Sequence, residues 1–357
     1  MLNETNFLII GAGPFGLSMS AYCKHYNIPY IIVGKTMDFW ISNMPKDMNL
    51  RSGYDWHLDP AGKFTFEKYM ETRGLPAKEI KPIPLDLYLD YTAWFIEQKD
   101  INPIESLVSK LDYDEKSNNF DAELENGEKI ISKNVLLALG FKYFRHIPQE
   151  LAEIIPENKF THTCDINNFN NFKDKKCLII GGRMSAFESA ALLNEAGCTE
   201  VYISYRHETP EFTESEWNWV VPLLDKMVED PNWYRDLNHE ELEKIRKKFY
   251  NEGRLKMEPW LSPRLDKDTI ILLPNTEIVE TKELSNDKLE ITINNGKKII
   301  VDHIIMATGY KVNMANIPFL ENSNIQKNLK LKNGYPELDV NLQTNIPGLY
   351  VTSIAAT

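Results

Sequence analysis

The chain repeats itself, and that repetition limits its fold more than any other feature. Residues 120–140 read FDAELENGEKIISKNVLLALG and residues 289–309 read LEITINNGKKIIVDHIIMATG, so Phe120 aligns with Leu289 and Gly140 with Gly309 without a gap. Each copy alternates apolar and polar residues, turns at Asn-Gly, returns as a strand and ends in a buried apolar strand closed by glycine. Upstream, Leu8-Ile-Ile-Gly-Ala-Gly-Pro-Phe-Gly16 and Leu178-Ile-Ile-Gly-Gly-Arg-Met-Ser-Ala186 match within one residue of the same spacing. Each half therefore reads as strand, glycine-rich turn, helix, strand, then hairpin and return strand. This is the order of an α/β fold with two Rossmann-like domains.

In the first half, Phe7–Ile10 is a continuous apolar run, as a strand covered on both faces requires. Gly11-Ala-Gly-Pro-Phe-Gly16 follows, then a helical segment from Leu17 to His25, then an apolar strand from Pro29 to Val33. In that setting the three glycines predict a dinucleotide site. Gly11 allows the tight turn, Gly13 lets the backbone approach a pyrophosphate, and Gly16 lets helix and strand pack closely. Pro14 and Phe15 complete the turn, and the helix start offers free N–H groups and the positive end of its dipole. An acidic residue that would hold the adenosine ribose is missing from the end of the second strand, which reads Val33-Gly34-Lys35. Either other groups hold the ribose or the dinucleotide sits differently; Lys35 joins the candidate contacts.

The second turn is Gly181-Gly182-Arg183-Met184-Ser185-Ala186, between a strand at 178–180 and a helix at 185–193. Its first glycine is kept and its last position is small. The middle position is Arg183, whose side chain either crowds a pyrophosphate or swings outward to pair with a phosphate. The strand Glu200–Ser204 is followed by Tyr205-Arg206. An arginine there suits the 2′-phosphate of NADPH better than the 2′-hydroxyl of NADH, the alternative being an ordinary surface arginine.

On Gly11–Gly16, Gly181–Ala186, Ala307-Thr308-Gly309-Tyr310 and Ile346-Pro-Gly-Leu-Tyr-Val-Thr352, the chain resembles the flavin-containing (class B) monooxygenase superfamily, with its Baeyer–Villiger and N-hydroxylating branches. The resemblance covers nearly the whole chain. It implies a three-layer ββα sandwich in each half, with FAD in a domain of residues 1–165 and 300–357. It implies NAD(P)H, NADPH rather than NADH, in a domain of residues 166–299 with a helical insertion at about 207–265. It places Trp40, Leu50, Arg51 and Ser52 beside the flavin, and adds Gly140, Thr308, Gly309 and Tyr310 to the cofactor contacts. Trp56 and His57 follow as candidates for a substrate pocket, a folded surface loop being the alternative.

Two features depart from that pattern. The F-x-G-x-x-x-H-x-x-x-W signature is absent, Phe141, Phe144 and His146 being differently spaced, and His162-Thr163 stands where the family carries His-Ser. In related enzymes a helix-containing stretch closes over the flavin beyond the segment matching Thr352-Ser-Ile-Ala-Ala; here the expectation is a short or truncated end and a weaker hold on FAD.

The implied chemistry is reduction of FAD by NADPH, uptake of oxygen as a C4a-hydroperoxide, and delivery of one oxygen atom to a small molecule. The protein positions the reactants and keeps water away. No protein nucleophile or acid–base triad is needed, and no catalytic residue is assigned. The alternatives are an NAD(P)H-dependent flavin reductase or oxidase without oxygen insertion, and a non-catalytic dinucleotide-binding protein. A dithiol reductase is disfavoured because C-x-x-C is absent.

With 52 acidic against 40 basic residues the net charge is −12, which argues against nucleic-acid binding. Cys23, Cys164, Cys177 and Cys198 lack zinc spacing, so no metal is expected, and they suit a reduced, cytoplasmic setting. No apolar run reaches the ~20 residues that cross a bilayer, so no membrane partner is expected. The N-terminus lacks the basic start of a signal peptide. The insertion carries Trp217, Trp219, Trp233, Tyr234, Phe249, Tyr250 and Trp260. It reads as a lid or substrate wall, or as a subdomain with its own core or a contact in a homo-oligomer.

Overall fold

A computed structural model describes residues Leu2–Ala356. The chain divides into two compact units, Met1–Arg145 with Tyr310–Thr357, and His146–Gly309. The changeovers thus fall at 145/146 and 309/310 rather than at the expected 165/166 and 299/300. The cause is strand pairing. Phe160–His162 and His303–Met306 lie parallel to each other, and His303–Met306 lies parallel to Lys176–Ile180, so all three belong to the second sheet.

The first unit opens with β1 (Leu2–Ile10), α1 (Pro14–His25) and β2 (Ile31–Val33). After a loop-rich stretch come α2 (Leu85–Lys99), β3 (Val108–Asp114), β4 (Asn119–Leu124) and β5 (Lys129–Leu137). The strands join in the order β2-β1-β5-β4-β3. Alternation along β1 distributes its side chains. Leu8 and Ile10 enter a core with Val135, Leu137, Leu111 and Phe120, and Ile9 enters another with Leu17 and Ala21 of α1 and Tyr91 and Phe95 of α2. Leu8 and Ile9 are fully buried. Each such side chain contributes roughly 1.5–3 kcal/mol by leaving water, which is why the run has no polar position.

The second unit repeats the plan. β6 (Phe160–His162), β7 (Lys176–Ile180), α3 (Met184–Glu195) and β8 (Glu200–Tyr205) come first. The insertion follows, with α4 (Val221–Glu229) and α5 (His239–Tyr250). Then come β9 (Ile270–Pro274), β10 (Ile278–Glu283), β11 (Leu289–Ile293), β12 (Lys298–Val301) and β13 (His303–Met306). The parallel sheet runs β9-β8-β7-β13-β6, and β10-β11-β12 is a separate meander. Leu178 packs with Ile291, Ile293 and Val301 of the meander, while Cys177 and Ile179 pack with Phe187, Ala190 and Ala191 of α3. The unit is therefore three layers, meander, sheet and helix. The copies differ at the hairpin: the return strand and buried strand are one strand in β5 but separate at Asp302 in the second unit. There Asp302 N–H donates to Lys176 O at 2.8 Å, and its carboxylate accepts from Lys176 N–H and pairs with Lys288.

The chain returns to the first unit with β14 (Leu349–Val351), parallel to the end of β5. Among the described residues no helix is long and apolar enough to cross a membrane.

Candidate functional site

The glycine turns follow directly from the sheet register. Gly11 leaves β1 at φ +115°, and its N–H donates to Val33 O at 2.8 Å. A Cβ at Gly11 would stand 2.3 Å from Ala138 O, and one at Gly16 would stand 1.8 Å from Gly11 O. Both positions exclude any larger residue. Gly13 differs: its backbone is extended, and a Cβ there would meet nothing within 4 Å among the described residues. Glycine at 13 thus leaves open space in front of the first turn of α1. That turn, Pro14-Phe-Gly-Leu17, carries no acid, and no side chain caps it. Pro14 lacks an N–H and needs no partner, while Phe15 is exposed. Open space beside uncapped amides fits a diphosphate.

Gly181 reproduces Gly11. Its φ is +145°, its N–H donates to Ser204 O at 3.0 Å, and a Cβ would stand 2.3 Å from Ala307 O. Arg183 occupies the cap position of Gly13 and shares its extended backbone, so glycine is not needed there for conformation. Its side chain neither crowds the turn nor stands free for a phosphate. The guanidinium donates to Arg254 O at 2.9 Å and to the Tyr250 hydroxyl, and stacks 5.0 Å from the Tyr250 ring. Arg183 therefore ties the helix start to the end of the insertion, where Asn251–Leu255 form a π-helical turn. Such turns recur at functional sites. Ser185 is exposed and Ala186 buried.

Sequence reasoning missed His207. Its Nδ1 donates to Glu208 O at 2.7 Å, which leaves Nε2 as the acceptor in the neutral ring, and a Cβ on Gly182 would stand 2.4 Å from that Nε2. A larger residue at 182 would also meet Tyr205 Cβ at 2.6 Å and would displace the His207 ring; a histidine two residues beyond β8 was the available signal. Arg206 is exposed and stands 3.9 Å from Glu277, an open pair worth little.

Around the first unit's remaining candidates, Phe141 and Tyr310 stack 4.7 Å apart with Phe39 at 5.9 and 6.1 Å, and Trp40 lies 5.1 Å from Tyr88. Gly140 has φ +59°, and Lys142 pairs with Asp38 at 2.5 Å. Burial would raise Asp38, but the Lys142 ammonium outweighs it and holds the carboxyl below its usual range. Leu50 pairs with Ile83 across a two-residue ladder; Arg51 is half-buried and Lys35 and Ser52 are exposed. Trp56 is 65% exposed and His57 is also exposed, so the structure does not bury this pair in a pocket of the first unit. The loop is anchored just beyond them. Leu58 N–H donates to the Tyr91 hydroxyl, and buried Asp59 pairs with Lys99 at 2.7 Å while accepting from Ala61, Lys63 and Phe64.

In the second unit Gly309 has φ +76°, and its carbonyl accepts from His146 N–H at 3.0 Å and from His162 Nε2 at 3.1 Å. Cys164 N–H donates to His162 Nδ1, so the buried ring is neutral with its proton on Nε2. The Thr308 hydroxyl donates to His146 O. The loop that follows β13 is thus fixed by one backbone hydrogen bond, from His146, and by the side chains of His162 and Thr308.

A family model described as pyridine nucleotide-disulphide oxidoreductase matches residues 5–353. A protein named as a probable indole-3-pyruvate monooxygenase from Arabidopsis thaliana is 27% identical over 339 residues, covering 88% of this chain and 83% of that protein. An ornithine N-hydroxylase from Kutzneria sp. 744, solved with reduced FAD, NADP+ and L-ornithine, superposes with a TM-score of 0.78 at 13% identity, over 98% of this chain and 92% of that one. A bacillithiol disulfide reductase from Bacillus cereus superposes with a TM-score of 0.64 at 18% identity, over 99% and 92%.

Proposed function

Because the chain belongs to the pyridine nucleotide-disulphide oxidoreductase family, we propose that it is an FAD-dependent, NADPH-using oxidoreductase that inserts oxygen into a small molecule. The observation that carries this reading is the duplicated turn: Gly11 and Gly181 leave equivalent strands, a Cβ on either would stand 2.3 Å from the equivalent carbonyl, of Ala138 or Ala307, and each precedes a twelve-residue helix. One chain thus offers two dinucleotide places. The first turn, Gly11–Gly16, holds the diphosphate of FAD, with Trp40, Leu50, Arg51, Ser52, Gly140 and Tyr310 beside the cofactor. The second, Gly181–Ala186, receives NADPH, with Arg206 toward its 2′-phosphate and Thr308 and Gly309 on the return loop.

The flavin, when bound, passes electrons from NADPH to oxygen. One oxygen atom enters the substrate and the other leaves as water, with one proton taken up, so the redox balance closes on NADPH and O2 alone. This chain's residues bind, orient and exclude water. The monooxygenase named among the relatives and the ornithine hydroxylase among the solved structures support the oxygen-inserting outcome. The cysteines support it as well. All four are buried, and Cys177 and Cys198, 3.8 Å apart in the core, are not placed to meet a disulfide substrate at the surface.

The test is turnover of the FAD-loaded protein with NADPH under ¹⁸O₂, against a panel of a tertiary amine, a thioether, a primary diamine and a 2-oxo acid. A product heavier by one ¹⁸O atom is expected from one class. NADPH oxidation that reduces a dye or disulfide equally well without oxygen, with no labelled product, would replace this reading with that of a reductase.

A further inference from the structure

Position 34, where the first half lacks its acid, has no room for one. Gly34 has φ +136°, and a Cβ there would stand 3.0 Å from Ala12 N and 3.3 Å from Gly11 Cα, inside the glycine turn itself. The edge of the sheet supplies a carboxylate from elsewhere. Ile104 lies parallel to Val33, its N–H donating to Ile32 O at 2.9 Å and its carbonyl accepting from Gly34 N–H at 3.0 Å. The next residue is Glu105, so the register sets it level with the loop beyond β2. Ser106 N–H returns to Ile104 O at 2.7 Å, a three-residue turn with Glu105 at its apex. The Glu105 carboxylate accepts from Thr36 N–H at 3.0 Å and from the Thr36 hydroxyl. The residue is otherwise exposed. A carboxylate has about four acceptor sites and Thr36 uses two, which leaves acceptors free at the mouth of the turn.

We infer that Glu105, held by Thr36, receives the 2′- and 3′-hydroxyls of the adenosine ribose of the dinucleotide bound at the first glycine turn. The carboxylate comes from the neighbouring segment because Gly34 must stay bare. This rests on the reading that FAD binds there, and the experiment separates the two.

The full-length apoprotein is titrated with FAD and with FAD whose adenosine lacks the 2′-hydroxyl, by quenching of flavin fluorescence, in wild type, Glu105→Ala and Glu105→Gln. Wild type is expected to favour FAD over the deoxy analogue by roughly tenfold or more, the usual range for a hydrogen bond to a charged group. Glu105→Ala is expected to weaken FAD by a similar factor and to bind the two flavins equally. Glu105→Gln, which keeps size and one acceptor, is expected between. A Glu105→Ala protein that retains the wild-type preference for FAD, whatever its absolute affinity, would show that Glu105 only shapes the loop and would overturn the inference. Wild type that binds neither flavin would overturn the flavin reading and the inference with it.

Discussion

Arg206 and His303 are ionisable groups whose environments lead to opposite kinds of prediction. Arg206 projects from the end of β8 with most of its side chain in solvent and only a distant carboxylate, Glu277, nearby. Its guanidinium has little to lose in the free protein and can meet a phosphate. Arg206→Ala is expected to raise the dissociation constant for NADPH roughly tenfold while leaving that for NADH unchanged; equal shifts for both would remove Arg206 from recognition. His303 is the reverse. Burial, then the charges of Lys175 and Lys159, push its pKa from 6.5 to about 4, and its Nε2 lies 2.8 Å from the Thr161 hydroxyl. Below pH 6.5 the unfolded chain binds a proton that the folded protein refuses, so stability falls as pH drops from 6.5 toward 4. The full effect is at most about 3 kcal/mol. A His303→Asn protein is expected to show a shallower decline of melting temperature over that range, and an identical decline would contradict the assignment. Neither partner set was legible in the sequence. His303 gains its surroundings from Thr161 and Phe172, which only the fold brings near. Gly11 and Gly16 were legible because a local motif dictates both.

The insertion shows the same contrast between elements. α5 announces itself by a capping box, Asn238 and Glu241, and forms as a twelve-residue helix. α4 is amphipathic yet buries none of its residues; Val221, Leu224, Met227 and Val228 stay exposed. A core of its own, one of the readings from sequence, is therefore absent around α4. Further along, Met257, Leu261 and Leu265 do enter the second unit's core. What joins the insertion to the second glycine turn is Arg183, through Tyr250 and Arg254. No periodicity reports that link, since the partners lie 67 and 71 residues away. Arg183→Ala is expected to speed limited proteolysis between residues 207 and 255 severalfold without changing FAD content. Unchanged cleavage would mean that the insertion is held by other contacts. The difference between the expected domain bounds and the division into compact units has a similar origin, because β6 is only three residues long and is recruited to its sheet by Ile304–Met306.

For the molecule as a whole, the duplication visible between residues 120–140 and 289–309 set the architecture, because two copies of one hairpin and one glycine turn can be built only as two copies of one unit. The sheets obey it down to single hydrogen bonds: Ala138 N–H meets Ile10 O at 2.8 Å, and Ala307 N–H meets Ile180 O at 2.9 Å. The copies diverge within the turns and just beyond the second strands, at Gly13 against Arg183 and at Gly34 against Tyr205. The account therefore depends most on the bare position at the start of α1. The direct measurement is the dissociation constant for FAD in wild type and Gly13→Val, read beside the melting temperature of each apoprotein. The extended backbone at 13 and the empty space around it predict an unchanged melting temperature and FAD affinity reduced a hundredfold or more, about 3 kcal/mol. A Gly13→Val protein that folds normally and binds FAD as tightly as wild type would contradict the account at its centre.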